Sequence, residues 1–580
     1  MPSAVFRSAA LAAAVLASAS GAALGASLPN QVASGEVSRH GARLWARAGQ
    51  VGTLTFEWAT DASFTNILGV KTRAVVDAMK PAQVSIGGLS DGATYYYRAT
   101  DSAGDSSVGE FTTAAAGGRR GFRMGVSGDW RGELAGFPAV RNVPGADLDL
   151  WVSLGDTIYA DVPSPAVPAF QAQTLAEFRA KHNEVYAERF GVNTLADLRS
   201  SVAILAQIDD HEVTNDFAGG AHPSTDPKFA GQPGDYINET PLYLTGVQAF
   251  REFNPMRNST VSGTGDDRLD GAPDLYRQRR FGQDAAVFSL DARSFRDEEL
   301  PGVFPTNPAG VQQFLEASFT PGRTMVGAKQ LGDLKAGLLA AEDNGVTWKF
   351  VMVPEPIQNL GVLGASDRFE GYAAERTEIL RFINDNDIDN VVFIAADIHG
   401  TVVNNLTYQE SAFGPQITTN AFEITTGSVA YDAPFGPTVA AIAFALGMPD
   451  TLDPLSFLAL PLTDREAYIQ GLLNSQLDTL GYDSIGLDGS GIDAELLQGA
   501  WTATNTFGWT DFDIDPLTQQ LTVTTWGVHA YNELDLLADP DAVMALEPFI
   551  VQQFVVNPVP APGGAALLAA LAWTSARRRR

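Results

Sequence analysis

The residues best suited to chemistry lie in short polar turns that directly follow apolar runs. The clearest turn is in SLGDTIYAD at 153–161, which ends the apolar run LDLWVSL. A short continuous apolar run is typical of a fully buried strand. Gly155 breaks the run, and Asp156 stands on the turn. Because an open α/β sheet binds its ligand beyond the carboxyl ends of its strands, Asp156 is predicted to bridge metal ions.

The same arrangement recurs after three further apolar runs, FRMGVS, AILAQI and VVFIAA. Only six histidines occur in the chain, and two of them fall in these turns. Carboxylates, an amide and imidazoles that converge on one sheet edge predict a site for two cations, with oxygen ligands suited to Ca²⁺, Mg²⁺ or Mn²⁺ and imidazole suited to iron or zinc. The residues that these turns supply are Asp129, Asp209, Asp210, His211, Glu212, Asn215, Asp216, Asp397 and His399.

Each turn taken alone has a simpler interpretation. A Gly-Asp pair after a strand is usually only a turn, and the acids of DDHE could cap a helix. His399 could be a core histidine, and Tyr159 is equally well explained as a metal ligand or as packing. Arg131 could contact a phosphate oxygen or be a surface charge. Arg293 and Arg296 are predicted to pair with nearby acids and are left outside the site. The recurrence of the pattern favours the metal site.

Two cations a few ångströms apart suit the hydrolysis of a phosphate ester. They neutralise the phosphoryl oxygens, lower the pKa of a bound water and stabilise the leaving oxygen. A carboxylate shared by both ions fixes their separation, which is the role predicted for Asp156. An imidazole beside the ions can protonate the departing alkoxide. His211, directly after Asp210, is the candidate for that acid, or for orienting a neighbouring group.

Apolar runs that alternate with helical patterns must position these turns, as in layered α/β proteins. Helices are predicted over 174–190, over 328–345 with Gly345 at the C-terminal end, and over 371–387. Residues 434–510 are predicted to be a large, partly helical insertion without an assigned role. The predicted strands are FRMGVS, LDLWVSL, SVAILAQI, DAAVFSL, WKFVMV, NVVFIAA, FEITTG and LTVTTWGV.

The N-terminal part follows a different pattern. Residues 30–114 alternate apolar and polar residues between Gly, Asp and Ser turns, which predicts a fibronectin-like β-sandwich. The segment AAAGGRR at 114–120 is predicted to be a linker. The predicted fold class is therefore α/β, with a β-sandwich domain at 29–114 followed by a layered α/β domain at 120–536.

Composition limits the partners. At 580 residues the chain is too long for one compact core, and its formal net charge is −30. Such a surface repels nucleic acid and anionic membranes and attracts divalent cations, so no nucleic-acid-binding surface is expected. The chain contains no cysteine, which excludes disulfides and thiolate metal sites.

The sequence patterns at both ends of the chain indicate that the protein is exported. Arg7 precedes an apolar run with small residues toward its end, which is typical of a secretory signal peptide cleaved near Ala26 (1–26). The tail at 557–580 has a Pro/Gly break, an apolar segment too short to span a bilayer comfortably, and a terminal Arg cluster. This order of parts resembles the PEP-CTERM sorting tails of bacteria. The predicted location is secreted, periplasmic or at the cell surface, with membrane association through the tail left open.

Taken together, the motifs resemble the PhoD-type alkaline phosphatases, a branch of the calcineurin-like metallophosphoesterases. The matching segments, in the family's order from about residue 31 to 430, are VASGEVSRHGARLWARA, LSDGATYYYRA, SLGDTIYAD, IDDHEVTND, LDARSFRD and AADIHG. The resemblance implies a metallophosphoesterase catalytic domain in a secreted phosphomonoesterase or phosphodiesterase that uses iron with calcium. The ligands it implies are Asp156, Tyr159, Asp210, Asn215, Asp397 and His399.

One departure from the family affects the choice of metal. The family usually has a cysteine iron ligand just after its first catalytic strand, where this chain has Ser127, Gly128 and Asp129. Asp129 is the candidate substitute, because related metallophosphoesterases use an aspartate after the first strand. The substitution makes the ligand set harder and could replace Fe³⁺ with Mn²⁺, Zn²⁺ or Ca²⁺.

The sequence thus predicts an exported phosphatase that hydrolyses small-molecule or polymeric phosphate mono- and/or diesters by metal-activated hydroxide. Two alternatives stay open: an inactive, surface-associated binding protein, and a phosphodiesterase that acts on phospholipid or cell-wall phosphate polymers. In the predicted centre Asp156 bridges the metals, one completed by Asp129, Tyr159 and His399 and the other by Asp210, Asn215 and Asp397.

Overall fold

The computed structural model describes residues 28–560. The segments called signal peptide and sorting tail, 1–26 and 561–580 of the tail, lie outside the described residues. Across the described range no helix combines the length and the apolar character needed to cross a membrane. The α-helices are α1 (Leu175–Tyr186), α2 (Thr194–Ser201), α3 (Pro241–Phe253), α4 (Pro308–Ser318), α5 (Gly327–Asp343), α6 (Ala373–Asp385), α7 (Phe435–Ala445), α8 (Pro454–Leu458), α9 (Leu462–Leu480), α10 (Glu533–Ala538) and α11 (Pro540–Met544).

The strands follow the predicted runs and add several more. They are β1 (Val32–Gly35), β2 (Gly41–Ala46), β3 (Gly52–Ala59), β4 (Ile67–Val75), β5 (Ala82–Gly87), β6 (Thr94–Thr100), β7 (Ser106–Thr112), β8 (Phe122–Trp130), β9 (Leu150–Ser153), β10 (Ala203–Ala206), β11 (Arg277–Phe281), β12 (Ala285–Ser289), β13 (Trp348–Met352), β14 (Val391–Ala395), β15 (Thr401–Tyr408), β16 (Ile417–Thr425), β17 (Ser428–Ala430), β18 (Ala494–Gln498), β19 (Thr502–Ala503), β20 (Thr506–Ile514), β21 (Leu521–His529) and β22 (Phe549–Val556).

Two large sheets pack face to face around the main core. The first has the order β18-β22-β21-β20-β8-β9-β10-β1-β2-β5, with β17 beside β8, and the second has the order β11-β12-β13-β14-β16-β15-β19. Val126, Val152 and Phe512 from the first sheet are buried in one cluster with Phe350 and Ile394 from the second. Apolar side chains on the inner faces therefore hold the two sheets together.

Helices cover the outer face of each sheet. Phe178 of α1 and Phe250 of α3 pack in one buried cluster with Trp151 of β9. On the second sheet, Leu338 of α5 and Leu380 of α6 belong to another buried cluster. The result is a mixed α/β fold of four layers, in agreement with the predicted fold class.

Parallel pairing aligns the strand ends that carry the polar turns. In the first sheet Val152 of β9 pairs in register with Val126 of β8 and Leu205 of β10. In the second sheet β12, β13 and β14 are also parallel neighbours. The carboxyl ends of both sets therefore meet at one edge, which is where ligands bind in such sheets.

The N-terminal strands are not a separate sandwich. Strands β3, β4, β6 and β7 form a four-stranded sheet of their own. Strand β1, however, pairs in parallel with β10, with Ser34 opposite Ala203, and antiparallel with β2. One face of the predicted β-sandwich is therefore a continuation of the first large sheet.

The segment 434–510 is partly helical, as predicted, and contains α7, α8 and α9. The segment also contributes one strand to each of the two large sheets. Strand β18 pairs with β22 in the first sheet, and β19 pairs with β15 in the second. The insertion is thus anchored in the fold at its C-terminal end.

Candidate metal centre

Four of the candidate metal ligands share an unusual backbone conformation. Asp129, Asp156, Asp397 and His399 have φ values of 62°, 49°, 64° and 61°. This left-handed region is rare for residues other than glycine, and Asp and Asn tolerate it best. A left-handed residue at a strand end turns the chain sharply, and such conformations cluster at functional sites. Gly155 precedes one of these turns, where an added Cβ would lie 2.5 Å from Asp209 Cβ.

Three donor atoms from three different turns meet in a triangle. Tyr159 Oη lies 3.3 Å from Asp129 Oδ1 and 3.4 Å from His399 Nε2, and His399 Nε2 lies 3.4 Å from Asp129 Oδ1. Donor atoms at this spacing can all reach one ion at the ~2.0–2.2 Å bond lengths of zinc-like metals. The predicted first ligand set is therefore brought together, including Asp129.

A second group of donors lies beside this triangle. Ligand atoms of Asp156, Asp210 and His211 lie within 4.8 Å of one another. The backbone N–H of His211 donates to Asp156 Oδ1 at 3.2 Å and to Asp210 Oδ1 at 2.8 Å. The turns after β9 and β10 are thus connected through their carboxylates.

Glu212 holds these two turns in place. Its buried carboxylate accepts the backbone N–H groups of Asp156 at 3.1 Å, Thr157 at 2.7 Å and Asp209 at 2.9 Å. A buried carboxylate that accepts several N–H groups fixes the backbone around it. Glu212 therefore positions Asp156 and the DDHE turn.

Arg293 occupies the interior of the acidic cluster. Its guanidinium donates to Asp209 at 2.6 Å and to Asp367 at 2.7 Å, contacts Glu355 at 2.5 Å, and lies 4.0 Å from Asp397 Oδ1. The prediction that Arg293 pairs with nearby acids is confirmed. Those acids, however, include the neighbours of the candidate ligands, so Arg293 also positions the site.

Arg296, three residues after Arg293, pairs with two of the same acids. It donates to Asp367 Oδ1 at 2.9 Å and to Glu355 Oε1 at 3.2 Å. Both arginines are fully buried. Together they supply the positive charge that the buried carboxylates of this region need.

His211 is oriented by Asp161. His211 Nδ1 lies 2.6 Å from Asp161 Oδ1. Burial alone would lower the pKa of His211, but Asp210 and Asp161 outweigh it and raise that pKa to about 9. A histidine held in this way is suited to donate a proton.

Asn215 and Arg131 have less direct places in the site. Asn215 is exposed, and its backbone N–H donates to the second oxygen of Asp161 at 2.8 Å. The guanidinium of Arg131 pairs with Glu133 and lies 5.4 Å from the ring centres of Tyr159 and Tyr431. Arg131 is therefore a largely buried neighbour of the triangle, with a carboxylate partner of its own.

Tyr431 is a site residue that sequence reasoning missed. Its ring stacks on His399 with centroids 3.5 Å apart and lies 5.4 Å from the ring of Tyr159. It follows the short strand β17, and a tyrosine after a strand carries no signal of its own. Glu355, by contrast, follows the predicted strand WKFVMV, so the strand-end rule could have found it. Asp367 lies in a loop that no pattern distinguished.

The donor set fits the metal ions that the sequence predicted. Asp129 Oδ2 is buried and makes no hydrogen bond within the described part of the chain. Burial, together with the neighbouring carboxylates of Asp210 and Asp209, raises the pKa of Asp156 well above its usual range. Clustered buried carboxylates with a free oxygen are the arrangement that cations stabilise. Oxygen donors with one imidazole and one phenol suit Ca²⁺, Mn²⁺, Zn²⁺ or Fe³⁺.

Fold and site together define a mixed α/β protein whose candidate metal centre lies where two sheet edges meet. The chain belongs to the PhoD-like phosphatase family, whose family model matches residues 124–444. The model of the N-terminal domain of PhoD-like phosphatases matches residues 15–115. The predicted family is thereby confirmed.

One sequence relative and one solved structure show how far the likeness extends. Alkaline phosphatase D of Bacillus subtilis (strain 168) is 26% identical over 412 residues, which cover 65% of this chain and 65% of that protein. The match therefore spans slightly less than two thirds of the relative's length. The solved structure of PhoD is similar in fold, with a TM-score of 0.61, 19% identity and coverage of 88% of both chains.

Proposed function

We propose that this protein is an exported, metal-dependent hydrolase of phosphate mono- and/or diesters. Membership of the PhoD-like phosphatase family supports the reaction class. The observation that carries the proposal is the triangle of Asp129 Oδ1, Tyr159 Oη and His399 Nε2. It lies beside Asp156 and Asp210 at the edge where the parallel strands end.

The residues of the centre divide into two ligand sets. Asp156 would be shared by both ions, and Asp397 and Asn215 would complete the set of Asp210. Bound cations would supply charge neutralisation of the phosphoryl group and a lower pKa for the attacking water. The proposed ions are Ca²⁺ with Fe³⁺, or with Zn²⁺ or Mn²⁺ in place of iron, since Asp129 presents oxygen where the family has sulfur.

His211 is the proposed general acid. Asp161 holds its Nδ1 at 2.6 Å, so its other ring nitrogen is free to face the departing oxygen. The carboxylate of Asp161 favours the protonated form of the ring and so raises the pKa of His211, and the protonated form is the state that a proton donor requires. Arg131 is a candidate phosphate contact, but it would have to share its donors between the substrate and Glu133.

Export is supported by the sequence of the two ends. The apolar run after Arg7 is typical of a signal peptide, and 557–580 resembles a PEP-CTERM tail. We propose that the mature protein acts outside the cytoplasm, either secreted, in the periplasm or at the cell surface, with its tail as the candidate for a surface attachment.

The test is metal content, measured by mass spectrometry on protein purified without chelators, with a visible spectrum and assays on p-nitrophenyl phosphate and bis-p-nitrophenyl phosphate. We expect bound metal, and activity that a chelator abolishes and metal restores. Iron with a tyrosinate charge-transfer band would place Tyr159 on Fe³⁺. Other metals without that band would remove Tyr159 from the ligands but keep the hydrolase. Protein that takes up no metal and cleaves neither ester would overturn the proposal and favour a binding protein.

A further inference from the structure

Helix α7 presents one apolar stripe along its length. Phe435, Val439, Ile442, Ala443 and Leu446 recur at the spacing that places side chains on one helix face, and all five line a single narrow cavity of about 100 Å³. At 1.5 Å per residue, the stripe runs for about 16 Å. The opening of the cavity is also apolar, since Ile442 is 38% exposed. Helix α7 thus forms one wall of a narrow apolar groove.

The first residue of α7 contacts the turn that carries His399, one of the candidate ligands. The backbone N–H of Phe435 donates to the carbonyl oxygen of His399 at 3.0 Å. Tyr431, four residues before Phe435, stacks on the His399 ring. A Cβ at Gly400 would lie 2.5 Å from Phe435 Cβ, so the helix start and the histidine turn are in direct contact. The stripe therefore leads away from a proposed metal ligand.

The wall of the groove opposite α7 also has a residue next to the site. It is formed by the loop that carries Leu360 and Leu363 and ends at Arg368, and α9 closes the floor with Leu473. Arg368 directly follows Asp367, whose carboxylate binds Arg293 in the acidic cluster. The charge of Arg368 is neutralised by Glu370 at 2.6 Å. Each wall thus has one residue next to the site, Phe435 in contact with His399 and Arg368 adjacent in sequence to Asp367. The groove between the walls offers little net charge.

We propose that this groove binds an alkyl ester group of the substrate, so that the preferred substrates are phosphate esters with an apolar chain. The inference rests on the proposed function, because the phosphoryl group must lie at the metal centre for the chain to enter the groove. The narrow volume suits one alkyl chain, and the net charge of −30 disfavours an anionic membrane as the occupant. Polar cell-wall phosphate polymers have no group that would fill it.

The experiment compares p-nitrophenyl esters of methyl, butyl and hexyl phosphate, each used below the concentration at which it aggregates. All three release p-nitrophenol, so the chemical step is the same. A fully buried methylene strengthens binding by up to about fourfold. We expect kcat/KM to rise roughly ten- to a hundredfold from the methyl to the hexyl ester, since only part of the chain is buried.

Two variants on the same helix separate the groove from the rest of the surface. Ile442→Gln places an amide in the groove and is expected to lower the ratio of kcat/KM for the hexyl ester to that for the methyl ester about tenfold. Phe444→Gln is the matched control, because Phe444 is 46% exposed but lies off the groove. It should leave both esters at the wild-type rate.

Binding of hexylphosphonate and methylphosphonate, measured by calorimetry, gives a second readout that needs no turnover. If kcat/KM is the same for all three esters and the methyl ester is hydrolysed well, the groove does not bind the alkyl chain, and the proposed hydrolase function stands. No hydrolysis of any ester, with hexylphosphonate still bound more tightly and Ile442→Gln weakening it, would refute the hydrolase and keep the apolar site. If kcat/KM still rises from the methyl to the hexyl ester in Ile442→Gln, the alkyl chain makes its apolar contact elsewhere, and the proposal is refuted.

Discussion

Arg293 Nε lies 2.6 Å from Asp209 Oδ1, and neither side chain is exposed. The same guanidinium reaches Glu355 and Asp367, so one cation compensates acids from three separate turns. Burying such charges is costly unless they are paired. The acidic edge of the two sheets therefore depends on Arg293 for its folded arrangement.

Arg293→Met should destabilise the protein by about 3–5 kcal/mol, because it leaves buried carboxylates without their partner. Arg293→Lys should cost less, since it keeps the charge but loses the planar fork of donors. The shift in the urea midpoint measures both effects. Arg280→Met, at an exposed arginine, should change stability by less than about 0.5 kcal/mol. A wild-type midpoint for Arg293→Met would show that the acids do not need this cation.

Asp156→Ala should lose both metals and nearly all hydrolysis, because Asp156 is the ligand that both ions would share in the proposed centre. Metal content and p-nitrophenyl phosphate turnover measure this. Asp149→Asn is the control, since Asp149 lies just before the amino end of the same strand, β9. That variant should keep wild-type metal content and rate. Full activity in Asp156→Ala would end the assignment of Asp156.

Asp129→Cys should shift the metal preference toward zinc and iron, because thiolate is a softer ligand than carboxylate. With iron bound, a thiolate charge-transfer band should appear in the visible spectrum. The φ of 62° at Asp129 should make this variant less stable by about 1–2 kcal/mol. Asp129→Asn keeps the tolerated backbone and should bind all of the candidate metals more weakly. Unchanged metal content in both variants would place Asp129 outside the ligands.

His211→Gln should lower kcat by roughly 10²–10⁴-fold with little change in KM, because it removes the proposed proton donor. Asp161→Asn should cause a smaller loss, since the imidazole remains but loses the carboxylate at Nδ1. An ester with a better leaving group should reduce the effect of His211→Gln, because such a group departs without a proton. Equal losses for good and poor leaving groups would contradict the acid role.

His182 should make the protein less stable in acid. It is fully buried in α1, and neither ring nitrogen has a hydrogen-bond partner within the described residues. Burial, with Arg199 nearby, lowers its pKa from 6.5 to about 3. Between these values the unfolded chain binds a proton that the folded chain does not, so stability falls as the pH drops below 6.5.

His182→Phe should remove that loss, which amounts to ~1.4 kcal/mol per pH unit below 6.5. We compare the free energy of unfolding of the variant with that of the wild type at each pH. The difference should favour the variant by about 2 kcal/mol more at pH 5 than at pH 8. Urea midpoints at the two pH values measure the gain. His222→Gln, at an exposed histidine, should leave the pH dependence as it is. The same gain at both pH values would mean that packing, and not protonation, accounts for the effect.

Local pattern was enough to find most of the sheet edge. The runs before Asp129, Asp156, Asp210 and Asp397 became strands β8, β9, β10 and β14, because each is a continuous apolar segment that ends in a turn. The strand β20 and the helix α3 were not predicted. Buried polar residues interrupt the apolar pattern of β20, whereas α3 begins with Thr240 and Pro241, a helix-start signal that the prediction overlooked.

The sequence by itself determined the family, the α/β class and the residue types of the candidate centre, because these depend on short-range periodicity and on motifs. Only the tertiary structure decided which side chains meet. Arg293, Tyr431 and Glu355 reach the centre from distant segments, and β1 joins the N-terminal strands to the first large sheet. Such contacts depend on how sheets pair and pack across hundreds of residues, which local pattern does not encode.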